Sequence, residues 1–560
     1  MKGGKSYFYT ALSAFLILRA FAFSYFSGNY TDSDQCVMWE MANDFANFEF
    51  HTPFFYGQLY SSGLEAWLAA PFIWLGIPVY RAVPLATTLM STLPWIWMSQ
   101  LSIKKHGHHK NATALLLLSL LFPVSWLQTT YISRGFMQSI FLISLATRYL
   151  KNNPFSVSFS LVLVTWGLLQ NTNGLLLLPA VMPHWFDQMP TRLRTRIQWL
   201  LPGILASVVL VFLYRYLAQV NPDWMIHGTI QLSFSWNDFG ANILRFNTLL
   251  QHTYPATPVL GAMLIAVITW TLFQPKPLLQ KLAFWGTMVL PLAVFGLSKI
   301  SDGTENIFFG YGRFFLAIPF AWGFLWANST LQIPTQLKTR FHQLGLRTSD
   351  RLITLTNKTK YRLYLVFTLL SISGYAYLFW EKTSIREFGK TYIPVMVYPI
   401  NQLKQDAEAM AQLCRKDTIG AVVVLDHFVL ECGSMGFPLM AQFPFKSGTP
   451  KQLPNGAFPF DTLPILSIPI EIGPSIFKIH ETIPIVRPKY ERRHWLLKEI
   501  KEQNYIPKKV AVMDVWKDST WGTQWPFKRS MADVRGRVFI FETGELPLSQ
   551  FIENYLTSIP

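Results

Sequence analysis

Between residues 31 and 66 the chain gathers side chains able to do chemistry. Thr31-Asp32-Ser33-Asp34-Gln35 opens the stretch, a helix-like run continues to Phe45, and Phe55-Tyr56-Gly57-Gln58-Leu59-Tyr60-Ser61-Ser62-Gly63-Leu64-Glu65-Ala66 follows. A carboxylate held beside a hydroxyl can take its proton while the oxygen attacks, which is the help a poor nucleophile needs near neutral pH. Asp32 and Asp34 also invite a divalent ion, but two carboxylates are a sparse ligand set. The expectation is no cofactor and no metal. If the group displaced is a phosphate, its growing charge needs fixed cations nearby.

These residues must be positioned by a membrane protein. The 560 residues are 51% hydrophobic, 16% aromatic and 14% charged, against about 25% charged in a soluble domain. The formal charge is +17, with 26 Lys/Arg and 12 Asp/Glu in residues 1–380 and 22 against 19 in residues 381–560. The basic excess belongs to the apolar part and is not gathered on a surface with interleaved aromatics, which excludes a nucleic-acid partner. Three cysteines exclude a disulfide scaffold and a thiol metal cluster.

Apolar runs of spanning length lie near 6–26, 82–103, 112–132, 136–150, 198–218, 256–274, 282–299, 313–331 and 363–380. The longer run 156–185 is interrupted by Gln170-Asn171-Thr172-Asn173-Gly174 and reads as two short helices, giving about eleven spans. With a cytoplasmic N-terminus, 19 of the 26 cations fall on cytoplasmic segments, and ten of the twelve acids fall outside. Both sorts fit one topology under the positive-inside rule. The cations left over are Arg19, Arg81, Arg134, Arg215, Arg245, Lys299 and Arg313. An ionisable group in or at the edge of a span is a functional candidate by default. The run Leu64 to Ile77 is too short to cross and should lie in the interface. His106, His108 and His109 sit among cytoplasmic lysines and read as a solvated, orienting turn.

Residues 381–560 read as a small α/β domain on the outer face, with helix 402–415 before strand 420–425 and helix 491–503 before strand 509–515. Pro438 to Pro474 holds eight prolines and reads as a long exposed loop. An oxidising outer compartment permits Cys414 and Cys432 to pair, the alternative being two buried thiols.

The acidic loop after span one, the Ser-Asp-Gln context of Asp34, the FYGQ and Gly-Leu-Glu-Ala segments and the short apolar run together resemble the polytopic GT-C glycosyltransferases. Within them the chain is most similar to bacterial relatives of dolichyl-phosphate-mannose–protein mannosyltransferases. "GLLQNTNGLLLLPAVMP" (167–183) and "GYGRFFLAIPFAWGFLWA" (310–327) continue the resemblance, which covers most of residues 1–380. The implied fold class is a polytopic α-helical membrane protein, GT-C-like, with the catalytic first outer loop at 27–63 and a C-terminal α/β extracytoplasmic domain. The implied activity is transfer of a sugar from a polyprenyl-phosphate donor to a protein, lipid or glycan acceptor on the outer side of the inner membrane, usually with inversion. The family's catalytic base maps onto Asp34. Gln35 stands where the motif often has Glu, so a second carboxylate is absent. Asp32, Tyr56, Gln58 and Glu65 are expected on the substrate side, the last three near the acceptor, and Arg134, Lys299 and Arg313 near the donor phosphate.

A transporter or flippase of lipid-linked sugars is the main alternative; it would favour internal repeats and mid-membrane acids, neither of which the sequence shows. An assembly scaffold for envelope polysaccharide is the third. The topology predicts that protease added to intact spheroplasts cuts near Pro450 to Pro459. Cleavage seen in permeabilised cells alone would overturn it.

Overall fold

The computed structural model describes residues 2–31, 33–57, 61–107, 109–118, 126–127, 130–221, 234–244, 278–297, 315–328, 373, 398–427, 446–447, 462–470, 494–514, 530–531 and 537–557. The runs near 256–274 and 363–380 lie almost wholly outside them, as does the count of eleven spans. Among the described residues, Lys5–Ser27, Leu193–Val220 and Leu278–Gly296 are helices long and apolar enough to cross a bilayer.

Helix α1 (Lys2–Ala22) continues through a π turn (Phe23–Ser27) into the short strand β1 (Tyr30–Thr31) and helix α2 (Ser33–Ala46). Helix α3 (Leu64–Trp74) is the short apolar run, at 11 residues roughly 16 Å long, too short for a hydrocarbon core of about 30 Å. Helix α4 (Val79–His106) ends where Gly107 turns left-handed, and α5 (His109–Leu118) follows. Helix α6 (Gln138–Tyr149) has 12 residues, and α7 (Pro154–Gln170) starts on an Asn153 side-chain cap to Ser156 N. The polar turn at 171–173 ends α7, as the sequence implies, and a 3₁₀ turn (Thr172–Leu177) leads into α8 (Leu178–Gln188). Helices α9 (Leu193–Val220), α10 (Trp236–Leu244), α11 (Leu278–Ala293) and α12 (Ile318–Asn328) complete the described helical part. One apolar core joins α1, α4 to α8 and α12, with Trp95, Trp126 and Phe320 packed ring against ring inside it.

The C-terminal part begins with β2 (Tyr398–Pro399), which pairs antiparallel with β1, Tyr30 opposite Pro399 and Thr31 opposite Tyr398. Then come α13 (Ile400–Lys416), β3 (Ala421–His427), β4 (Lys446–Ser447), β5 (Thr462–Leu463), β6 (Ile465–Ile470), α14 (His494–Glu502), β7 (Lys509–Asp514), β8 (Ser530–Met531), β9 (Arg537–Glu542) and α15 (Leu548–Thr557). The main sheet has the order β6-β3-β7-β9-β8, parallel from β6 to β7 and antiparallel beyond.

Strand periodicity explains how the sheet is covered. Alternate residues of a strand face opposite sides: Ala421, Val423, Val510 and Val512 pack under α14 and α15, whereas Val422, Val424, Ala511 and Met513 join a core with α13, α2, α3 and the start of α4. That second core is continuous from the sheet into the first outer loop. Lys404 reinforces it, donating to the Tyr80 hydroxyl at 2.7 Å and lying 3.9 Å from a Tyr80 ring centroid.

Two sequence readings change. Residues 465–470, expected within a proline-rich loop, form strand β6. Pro469 is tolerated there because β6 is an edge strand, paired on one side, where a missing N–H costs no ladder bond. Cys414 is a free, buried thiol in the core of α13, and burial pushes its pKa up to about 12; Cys432 lies outside the described residues.

Met410 is fully buried in the core shared by α13 and the first outer loop. Met410→Ala should cost about 2–5 kcal/mol. Thermal unfolding in detergent should show a lower Tm, together with faster proteolytic release of the C-terminal part.

Candidate active site around the first outer loop

Asp34 is the second residue of α2, a place where the helix dipole favours a negative charge. Its neighbour Gln35 is buried and does two things at once. The Gln35 amide donates to Thr31 Oγ1 at 3.0 Å, and its oxygen accepts from Ser133 N at 3.0 Å. Gln35 thereby anchors the short turn that carries Arg134. A carboxylate at position 35 would offer acceptors alone, whereas the amide satisfies an acceptor and a donor together.

The same turn is held at its other end. Gly135 N donates to Glu65 Oε2 at 2.8 Å, and the Ser133 and Thr87 hydroxyls lie 2.6 Å apart. Gly135 has φ +79°, and a Cβ there would come within 2.9 Å of Ser61 Oγ, so both conformation and space require glycine. Gln138 Nε2 donates to Ser62 O at 2.8 Å, Ser62 N donates to Gln170 Oε1, and Gln170 Nε2 reaches the Tyr214 hydroxyl at 3.0 Å. Asn173, fully buried, donates to Phe136 O at 3.1 Å. Gln170 and Asn173, two of the polar residues that interrupt the 156–185 run, are thus partners for backbone groups at Ser62 and Phe136.

Glu65 is fully buried in the first turn of α3, outside the spanning helices. Burial pushes its pKa up to about 7, against the opposing pull of the Gly135 N–H and the Gln138 and Thr87 side chains. Its other oxygen, Oε1, has no hydrogen-bond partner among the described residues. In this arrangement Glu65 braces the outer turn from inside.

Tyr56 is also fully buried; its hydroxyl donates to Asp44 Oδ2 at 2.5 Å, and its ring meets Trp495 of α14 edge-on at 4.7 Å. Arg134 is half-buried with its guanidinium 5.6 Å from the Phe136 ring centroid. Asp32, Gln58, Lys299 and Arg313 lie outside the described residues. Arg19 emerges as a second cation near the turn. It is 2% exposed on α1, reaches Thr130 Oγ1 at 3.4 Å, and is boxed by Phe15, Trp126 and Tyr131. Its signal in the sequence is its position, an arginine three residues before the end of the first apolar helix. For a metal, the described residues offer Asp44, Glu49 and His51, whose ligand atoms lie within 4.8 Å of one another.

The raised pKa of Glu65 has a sign opposite to that of an ion-paired acid. The folded protein holds the proton more tightly than the unfolded chain, so stability is fully present below about pH 4.5 and is lost as pH rises to about 7. The loss is on the order of 3 kcal/mol. Glu65→Gln keeps an acceptor for Gly135 N and removes the titration. Melting curves between pH 5 and 8 should fall for the native protein and stay flatter for the variant; parallel curves would sink this assignment.

No family model matches the sequence, and no curated protein does. Among solved structures, the chain is similar to ArnT from Cupriavidus metallidurans in two crystal structures. The structure bound to undecaprenyl phosphate has a TM-score of 0.50 at 11% identity, covering 95% of this chain and 96% of that one. The apo structure gives 0.51 at 13% identity over the same shares. ArnT is a GT-C glycosyltransferase. The match runs along nearly the whole of both chains, so this protein has the fold of ArnT, the GT-C fold.

Proposed function

We propose that the chain is a membrane glycosyltransferase that moves a sugar from a polyprenyl-phosphate donor to a hydroxyl of a protein, lipid or glycan on the outer side of the membrane. The fold supports the class, and ArnT, the protein that shares it, has been crystallised with undecaprenyl phosphate. The observation that carries the reading is the bond between Gln35 and Ser133 N. It sets the residue after Asp34 against the residue before Arg134, which supports a reading in which a carboxylate and a guanidinium serve one junction of the two loops.

In the proposed reaction Asp34 takes the acceptor proton as the acceptor oxygen attacks the anomeric carbon. The bond from that carbon to the phosphate oxygen breaks, its electron pair leaves with the polyprenyl phosphate, and the configuration inverts. Arg134 faces the leaving phosphate, and Arg313 and Lys299 are proposed to add charge from the segment before α12. Burial of Arg19 beside the same turn supports a positive field there, because a charge within a low-dielectric region is screened less than one in water. Asp32 and Gln58 are proposed to shape the substrate side, whereas Tyr56 is buried against Asp44 and Trp495. The proposed topology puts residues 381–560 outside, and β2 and α13 then pin that part to the catalytic loop through β1 and Tyr80.

Asp34→Asn removes a contribution made in the transition state, so turnover should fall by on the order of 10²- to 10⁴-fold with little change in donor affinity. Arg134→Ala removes a contact with a phosphate that is anionic throughout, so the apparent donor KM should rise as the rate falls. Kinetics with a short-chain prenyl-phosphate sugar measure both. Near-normal turnover of Asp34→Asn in that assay would overturn the assignment, and sugar flipping without transfer would favour the flippase reading.

A further inference from the structure

The far end of α2 carries a second group of side chains that this reaction does not use. The helix stops in a Schellman motif: Glu49 N donates to Asp44 O at 2.8 Å, Phe48 N donates to Phe45 O at 3.1 Å, and Phe48 takes the left-handed conformation at φ 61°. A phenylalanine in that region is strained; its ring stacks on Trp74, 5.3 Å between centroids. The turn folds Glu49 back over Asp44, and two residues later His51 joins them.

We infer that Asp44, Glu49 and His51 form a zinc site at the seam between the first outer loop and the C-terminal part. One ligand atom from each side chain fits within a 4.8 Å cluster. His51 Nε2 stands 3.9 Å from Asp44 Oδ2, beyond hydrogen-bond reach. A tetrahedral zinc ion with bonds of about 2.0–2.2 Å holds its donors roughly 3.3–3.6 Å apart, so small side-chain rotations close the set. An imidazole with two carboxylates suits zinc better than magnesium or calcium, which favour oxygen alone. The two carboxylates repel each other at this distance, and a dication offsets that repulsion.

The surroundings are those of a built metal site. Ligating carboxylates are themselves hydrogen-bonded and ligating imidazoles are held in orientation; here Tyr56 donates to Asp44 Oδ2, and the His51 ring stacks flat on Trp495 at 4.2 Å and 7°. All three ligands are half-buried, which leaves a path for the ion and a fourth position for water. The site does not depend on the proposed transfer reaction. Asp44 follows Asp34 by ten residues on one helix, about 15 Å along its axis. The ion would therefore clamp the end of α2 beneath the C-terminal part, away from the proposed base.

The test uses the full chain in detergent, freed of any affinity tag, stripped with a chelator and dialysed against zinc. Elemental mass spectrometry should find one tightly held zinc per native chain, and zinc should raise its Tm. His51→Gln and Glu49→Gln, made separately, should each weaken binding by at least about tenfold and abolish the Tm shift. Cobalt substitution should give visible absorption bands in the native chain alone. A native chain with neither bound zinc nor a Tm shift overturns the inference without reference to any variant. So does equal zinc in native protein and both variants, which would put the ion elsewhere, for instance at His106, His108 and His109.

Discussion

The turn at residues 133–135 is too short to satisfy its own backbone donors, and its burial leaves little water to use instead. Its Ser133 N–H goes to Gln35 and its Gly135 N–H goes to Glu65. The Gln35 and Glu65 side chains thus complete the backbone of a turn 98 and 70 residues further along the chain. Everything else in the site follows from that debt of hydrogen bonds. The Gln170 and Asn173 amides sit inside an apolar run because Ser62 and Phe136 need partners.

Buried polar groups of this kind stabilise when every member is satisfied and cost most when one is not. Glu65 shows both sides. Its Oε2 is paired, while its fully buried carboxyl keeps its proton to near neutrality rather than carry an uncompensated charge. The brace is therefore largely neutral below about pH 7.

The C-terminal part is more than an appendage. Its sheet presents one face to α14 and α15 and the other to a core shared with α2, α3 and α4. The contacts made by β2 and Trp495 land on residues 30–56, and Lys404 reaches Tyr80 at the start of α4. A segment with few spanning residues of its own gains order from this lid, since burying the apolar faces of α2 and α3 requires a partner that the membrane helices do not supply.

Much of this was legible in the sequence, for local reasons. Hydropathy and charge sorting follow from the cost of polar groups in lipid, so long apolar helices such as α1, α9 and α11 announce themselves, as does the break at 171–173. Helix and strand periods mark α13, β3, α14 and β7 within a few residues. Prolines mislead at β6, because whether a proline is tolerated depends on whether its strand lies at an edge, a property of the sheet and not of the segment. The pairings that make a site were not legible: nothing local in Gln35, Glu65, Gln138 or Gln170 says which distant backbone group each will meet. A hydrogen bond is specified by two partners brought together by the whole fold, whereas a span or a strand is specified by one stretch of chain and its solvent. The sequence by itself determines which residues can carry charge and where lipid will hold the chain; tertiary structure alone decides that Glu65 is an internal brace, that Gln35 serves the turn of Arg134, and that Asp44, Glu49 and His51 converge.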